Sequence, residues 1–389
     1  MQQQSAMPAG MMDTSSNSWE SLVGFKGCAT TAVVIFAFCN GGGLLTGVST
    51  AAAKNAEQKK TAPKTPKAKE MPTLDVAGAY SSTQPIVGPA QGQLVKLINA
   101  MTDGSIKAKL YEPGELVPPL QYLSAVGTGT LDAAWTTPSA WAAKDSAFWL
   151  FTSIPFSHGA REYLAWLKYG GGETLFKQLH AKYNVEALPC GISPAGASGW
   201  FMTELNKPEQ LEGLKVRASG LAAQVLRNMG AEPQVIKPSE VSRAINLKTI
   251  DAAMLDTPAL GETAGVEELT KNLYFPAWHQ PSTLNELLIS KKKWKSLTKT
   301  QRAVIQGACD TVMLRQLAEG EALQGKALNQ LVEQGIKPLR WSGEILQAFR
   351  NSWIKTAEAL AAKSPEFKKA WESYSAFVET QKAWSDVSR

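Results

Sequence analysis

A phrase that occurs twice restricts the fold of this chain more than any other feature. Thr130-Leu131-Asp132-Ala133-Ala134-Trp135 and Thr249-Ile250-Asp251-Ala252-Ala253-Met254 each follow a short amphipathic helix pattern, Leu120 to Val126 in one case and Val241 to Ile245 in the other. A helix, a tight turn and a small-residue strand, written once in each half, specify two α/β lobes built alike. Paired lobes commonly hold a ligand between them. At 389 residues and 44% hydrophobic, the chain is long enough for two cores, since chains beyond roughly 250–300 residues tend to split.

The segments around the two phrases obey the same grammar. Met71 to Ala79 reads as a strand, with Tyr80-Ser81-Ser82-Thr83 the loop at its end. Leu94, Leu97, Ile98 and Met101 then recur at helical spacing until Asp103-Gly104, and Ile106 to Tyr111 returns as a strand. That βαβ order implies a largely parallel sheet. Pro189 through Gly199 has the Gly, Ser and Pro content of a crossing between lobes. In the second lobe, Leu214-Lys215-Val216-Arg217 reads as a strand ending on a charge, followed by a helix over Leu221 to Met229. Tyr274 through Gln280 is the return crossing, and from Trp294 onward the pattern is helical nearly to the end.

The beginning of the chain has a different character. Lys26 precedes an apolar run from Ala32 through Phe38, and Ala51-Ala52-Ala53 supplies the small residues that a signal peptidase needs. Residues 1–53 therefore read as an export signal that directs the rest to the periplasm, or as an uncleaved membrane anchor. Residues 54–72, rich in Lys, Ala, Pro and Thr, read as a flexible linker. Lys54, Lys59, Lys60, Lys64, Lys67 and Lys69, against Glu57 and Glu70, carry four of the six net positive charges. What remains is close to neutral, which excludes a basic face for nucleic acid. Past the signal only Cys190 and Cys309 remain, as buried thiols or as one bridge, without any metal-type Cys/His spacing.

Arg217 is the principal candidate for ligand binding. It ends an apolar strand and precedes Ala218-Ser219-Gly220, small residues leading into a helix N-terminus. A guanidinium there suits a carboxylate, which it meets through two parallel hydrogen bonds, and the helix end adds donors for the same anion. The alternative is a structural salt bridge. Trp135, Phe156, Trp200 and Trp278 fall at expected strand ends or crossings, where a cleft would be, although core packing is the common fate of such residues. Thr137, Ser139 and Asn285 are candidate neutral donors, and Leu255 and Asp256 follow the second phrase. Of the three histidines, His180 stands beside Lys177 and Lys182 and is expected in solvent. Gly196-Ala197-Ser198-Gly199 superficially resembles a Gly-x-Ser-x-Gly elbow but lacks the full spacing. No acid/base pair stands out, so catalysis is not the expected role.

Taken as an ordered set, Pro113-Gly114-Glu115-Leu116-Val117, Gly129-Thr130-Leu131-Asp132, Leu214-Lys215-Val216-Arg217 and Ile250-Asp251-Ala252 resemble the extracytoplasmic solute receptors of tripartite ATP-independent periplasmic (TRAP) transporters, the dicarboxylate-receptor family. The resemblance covers nearly all of Leu74 to Trp384. Tyr169-Gly170-Gly171-Gly172, Gly199-Trp200-Phe201 and Phe275 through Gln280 are similar to the sub-branch that binds 2-oxo acids and related monocarboxylates. The resemblance implies an α/β, two-lobed clamshell of the periplasmic-binding-protein kind (type II-like), a long helix bracing both lobes, a helical C-terminus and hinge closure. It implies that Arg217 clamps the ligand carboxylate and that two membrane subunits, driven by a sodium gradient, receive the ligand. In domain terms it suggests lobe 1 over 73–190, lobe 2 over 191–282, a return to lobe 1 with helices over 283–344 and C-terminal helices over 345–389.

Members of that sub-branch that hold a cation beside the substrate usually have a Gln before Gly-Trp-Phe, a Glu-Trp pair after Ile-Asp-Ala and a Glu before the return strand. Here those places hold Gly196, Met254-Leu255 and Gln280. Hard cations want several oxygens, preferably carboxylates. The expectation is no cofactor and no metal; were a cation present, Asp256 and Gln280 would be its ligands. The expected partners are a small organic anion and the membrane permease subunits, with homodimerisation left open. The competing roles are a receptor that presents its ligand to a membrane sensor and, less favoured, an enzyme on a binding-protein fold.

Overall fold

Two mixed sheets organise the chain, each at the centre of one lobe. The computed structural model describes residues 72–255, 258 and 265–387. The expected signal, Asp256 and all but the last residue of the expected linker lie outside them. The described residues all fall within one compact unit.

The first lobe begins with β1 (Thr73–Gly78), α1 (Val87–Met101), β2 (Lys107–Tyr111), α2 (Tyr122–Thr128) and β3 (Ala133–Thr136). It continues through the short α3 (Ala147–Leu150), α4 (Ala160–Tyr169), α5 (Gly172–Ala181) and β4 (Val185–Pro194). The second lobe holds β5 (Gly199–Phe201), β6 (Lys215–Arg217), α6 (Gly220–Arg227), β7 (Glu232–Gln234), α7 (Val241–Asn246), β8 (Ala252–Ala253) and β9 (Asn272–Phe275). Strand β10 (Ser282–Ser290) returns to the first sheet, followed by α8 (Lys291–Ser296), α9 (Lys299–Glu333), β11 (Lys337–Arg340), α10 (Gly343–Ala361) and α11 (Pro365–Val387). The sheet orders are β2-β1-β3-β10-β4 and β11-β9-β5-β8-β6-β7.

The repeated phrase is a structural repeat down to single hydrogen bonds. Thr130 N donates to Ala125 O at 2.9 Å, and Thr249 N donates to Ala244 O at the same distance, closing α2 and α7. Asp132 Oδ2 accepts from Asp75 N in β1 at 3.3 Å, and Asp251 Oδ2 from Lys215 N in β6 at 3.1 Å. Each aspartate thus ties its own strand to the parallel neighbour, and the paired alanines behind it are fully buried at the sheet centre.

Neither sheet is purely parallel, and the exceptions are the strands that arrive from the other lobe. β10 lies antiparallel between β3 and β4, and β5 lies antiparallel between β8 and β9. A strand entering from across the cleft runs opposite to strands fed by crossover helices of the same lobe. Gly199, at φ 147°, begins β5 where an added Cβ would come within 2.6 Å of Ala253 O, so glycine permits this close pairing.

Strand β4 carries the chain past the expected border at 190 to Pro194, so the first crossing is confined to 195–198. The segment expected to return to lobe 1 over 283–344 also contributes β11, which pairs in parallel with β9 in the second sheet. The reason is α9, whose early residues Ile305, Ala308 and Val312 pack in the first-lobe core and whose late residue Leu331 packs in the second. At 35 residues it spans both lobes as the expected brace. Cys190 of β4 and Cys309 of α9 are joined by a disulfide across a sequence separation of 119. In the chain-entropy view a loop of that size contributes roughly 4–5 kcal/mol. The last two helices add a second brace: α10 reaches α6 through Ser352 Oγ donating to Val225 O, and α11 reaches α4 through Tyr374 OH donating to Glu162 Oε1.

His180 is not in solvent. It is fully buried against Glu286 of β10, while the flanking Lys177 and Lys182 side chains reach solvent.

Candidate functional site

A cavity of about 340 Å³ opens between the strand ends of the two lobes. Its first-lobe wall comes from the loops after β1 and β3 and from α3, through Tyr80, Thr137, Ser139, Trp149, Thr152 and Ser153. Its second-lobe wall comes from Arg217 at the end of β6 and from Ser219 to Ala222, the start of α6. His279, Gln280 and Thr283 of the return crossing close it. Gly220, at φ 60°, would carry a Cβ only 3.4 Å from Trp149 Nε1, so the lobes touch at this rim.

Arg217 stands where the strand pattern put it. Its Nε donates to Ile236 O at 3.1 Å and its Nη1 to Met254 O, which fixes the plane of the guanidinium. The neutral groups of the first lobe orient one another. Tyr80 OH donates to Thr137 Oγ1 at 3.3 Å, Thr137 and Ser139 hydroxyls lie 3.4 Å apart, and Ser139 N donates to Thr152 Oγ1 at 2.6 Å. Gln280 Nε2 donates to Thr283 Oγ1 at 2.5 Å.

The described wall contains no aspartate or glutamate. Its one charged group is a cation, and that charge is felt nearby: burial, and then the Arg217 guanidinium, pull the His279 imidazole down to a pKa of about 3. His279 is therefore neutral at any physiological pH. The described wall, with one cation and no carboxylate, suits a small anion and offers a hard metal ion few of the anionic or carbonyl oxygens that it needs. Among the described residues no cluster of three or more His, Cys, Asp or Glu side chains forms a metal site anywhere.

Of the sequence-derived candidates, Arg217, Thr137, Ser139 and Gln280 meet at this cavity. Asn285 is buried beside it, lining a contiguous annexe of about 80 Å³ with Gln280 and Thr283, and accepts from Gln316 Nε2 at 2.8 Å. The aromatic candidates are elsewhere. Trp135 is buried in the first sheet and donates through Nε1 to Cys190 O at 3.1 Å. Trp200 and Leu255 pack in the second-lobe core. Trp278 is sandwiched between Phe156, at 5.5 Å between ring centroids, and Phe349 of α10, at 4.4 Å. These rings build the floor of the crossings, because a large apolar side chain at a strand end gains more from packing than from facing water. Asp256 lies outside the described residues. Sequence reasoning missed Tyr80, Trp149, Ser153 and His279; the last belongs to the crossing phrase Phe275 through Gln280, where a lone histidine was the available signal.

The model of the bacterial extracellular solute-binding proteins, family 7 (DctP), matches residues 76–364. The chain belongs to this family. As a member of the family-7 solute-binding proteins, the receptors of TRAP transporters, it is a binding protein rather than a member of an enzyme family. It is 33% identical over 295 residues to the monocarboxylate 2-oxoacid-binding periplasmic protein of Nostoc sp. (strain PCC 7120), covering 76% of this chain and 81% of that one. Among solved structures, a TRAP solute-binding protein of Bordetella bronchiseptica RB50 with calcium and picolinate superposes with a TM-score of 0.75 at 28% identity, covering 82% and 94% of the two chains. One of Colwellia psychrerythraea with calcium and pyruvate gives 0.77 at 25% identity, covering 82% and 98%. The two-lobed architecture of this family-7 protein is thus that of the TRAP receptors. No helix among its described residues is long and apolar enough to cross a membrane.

Proposed function

We propose that this receptor captures a small monocarboxylate, of the 2-oxo acid class, with its carboxylate on Arg217, and delivers it from the periplasm to a sodium-coupled TRAP permease. The observation that carries the reading is a planar, backbone-fixed guanidinium at the start of a helix, in a cavity whose other described polar groups are all uncharged. A small monoanion calls on only that one cation, whereas the second carboxylate of a dicarboxylate would meet no further cation in the described wall. The size agrees, since small-molecule sites usually run from about 300 to 1,000 Å³. The Nostoc relative, named for monocarboxylate 2-oxo acids, and the Colwellia complex with pyruvate support the same class. Export is supported by the Cys190–Cys309 bridge, because such bonds persist in oxidising compartments.

Calorimetry on the purified protein with pyruvate, lactate, succinate and benzoate tests the class. Arg217→Ala is expected to weaken the best binder by about 2–5 kcal/mol, tens- to thousands-fold, and Arg217→Lys to recover only part, for want of the planar fork. An unchanged Kd for the Ala variant, or a preference for succinate, overturns the reading.

A further inference from the structure

We propose that His279 is the specificity-determining residue of this receptor, taking the oxygen on the ligand's second carbon while Arg217 takes the carboxylate; the inference rests on the monocarboxylate reading of the cavity. Most polar groups in the wall already satisfy one another, as Tyr80 does with Thr137 and Gln280 with Thr283. Two do not. His279 Nδ1 and Ser153 Oγ are buried and have no hydrogen-bond partner among the described residues. Both side chains are almost wholly enclosed, at 8% and 7% exposure.

Buried ring nitrogens and hydroxyls are normally paired, because leaving one unmet forfeits its hydration with nothing in return. When the unmet atom belongs to a cavity wall, the natural partner is what fills the cavity. His279 and Arg217 line the same cavity wall. In a 2-oxo or 2-hydroxy acid, the second oxygen sits on the carbon next to the carboxylate, so a group beside the carboxylate clamp is the one to meet it. A neutral imidazole carries one N–H and one bare nitrogen. The N–H serves a keto oxygen, and the bare nitrogen serves a hydroxyl. An imidazolium would lack the second capacity, and a carboxylate in its place would repel the ligand. Such a site rejects an analogue without that oxygen, since the buried polar atom is then left unmet.

The test compares pyruvate, lactate and propionate by calorimetry on the wild-type protein, His279→Phe and His279→Gln, with circular dichroism to check each fold. The wild type is expected to prefer pyruvate over propionate by about tenfold or more. In His279→Phe that ratio should collapse towards one, and His279→Gln, which keeps a donor and an acceptor, should hold part of it. If the Phe variant does not fold, His279→Ala carries the same comparison. A ratio preserved in the Phe or Ala variant overturns the assignment of His279 alone. A wild type that binds none of the three overturns both this inference and the monocarboxylate reading beneath it.

Discussion

His180 Nε2 lies 2.7 Å from Glu286 Oε2, and neither side chain is exposed to solvent. His180 Nδ1 is 2.8 Å from Phe176 O and donates to it, while Trp141 Nε1 donates to Glu286 Oε1 at 2.8 Å. With Nδ1 committed to the Phe176 carbonyl, it is Nε2 that faces the buried Glu286 carboxylate. The pair pins α5 to β10, the strand that returns from the second lobe.

Removing one member of a buried pair is costly, because the survivor keeps its desolvation without its partner. His180→Leu is therefore expected to destabilise the protein by about 3–5 kcal/mol in urea denaturation. Glu286→Gln should cost only about 1 kcal/mol, since its carbonyl still accepts from Trp141 and its amide fills the place of Oε2 beside His180. Equal losses for the two variants would show that the pair is not linked as described.

Glu162 supplies a pH-dependent tie between α4 and α11. Burial raises its pKa, but hydrogen bonds from Tyr374 OH at 2.6 Å and from His158, whose Nδ1 is 2.5 Å away, outweigh burial and leave it below its ordinary value of 4.5. A carboxylate whose folded pKa is depressed stabilises the fold fully above the unfolded value and loses that contribution as pH falls through the folded one. Melting temperature should thus drop on acidification below about pH 4.5, and less steeply in Glu162→Gln than in the wild type. At pH 7 that variant should be less stable by about 1–2 kcal/mol. Parallel acid limbs in scanning fluorimetry would remove Glu162 from the list of groups responsible.

The lobes were legible because their grammar is local. The Thr-x-Asp-Ala-Ala phrase encodes a helix stop, a strand-linking carboxylate and a small-residue strand, all within six positions, and both copies form as read. Arg217 was legible for the same reason, as a charge that ends an apolar strand. The tryptophans were not. Whether an indole at a strand end meets a cavity or a neighbouring ring is decided by residues far away, as Phe349 of α10 decides it for Trp278. Trp149, in an apolar run, instead reaches the cavity because α3 is a single turn that leaves it half exposed at the rim. Strand β11 was hidden by composition, since Lys337-Pro338-Leu339-Arg340 is a short edge strand with one apolar side chain partly covered, and nothing in it alternates. His180 misled through its neighbours, because lysines three residues before it and two after it say nothing about the face that packs on Glu286.

The cation dependence of binding offers the sharpest contrast with the relatives. The Bordetella and Colwellia receptors were found with calcium as well as picolinate and pyruvate bound, respectively. Here the positions of the sub-branch's cation donors hold Gly196, Met254-Leu255 and Gln280, and Gln280 is already engaged with Thr283. The described wall has no carboxylate to offset two further positive charges next to Arg217, so a divalent ion would enter against repulsion and with few oxygen ligands. Pyruvate affinity measured in chelator-treated, sodium-free buffer is therefore expected to stay within about threefold of its value with 1 mM calcium, a difference of less than about 0.7 kcal/mol. Binding that vanishes with the chelator and returns with calcium or sodium would assign the cation to Gln280 and to Asp256, which lies outside the described residues. Asp256→Asn would then abolish the cation effect, whereas a cation-free site predicts that it leaves the titration unchanged.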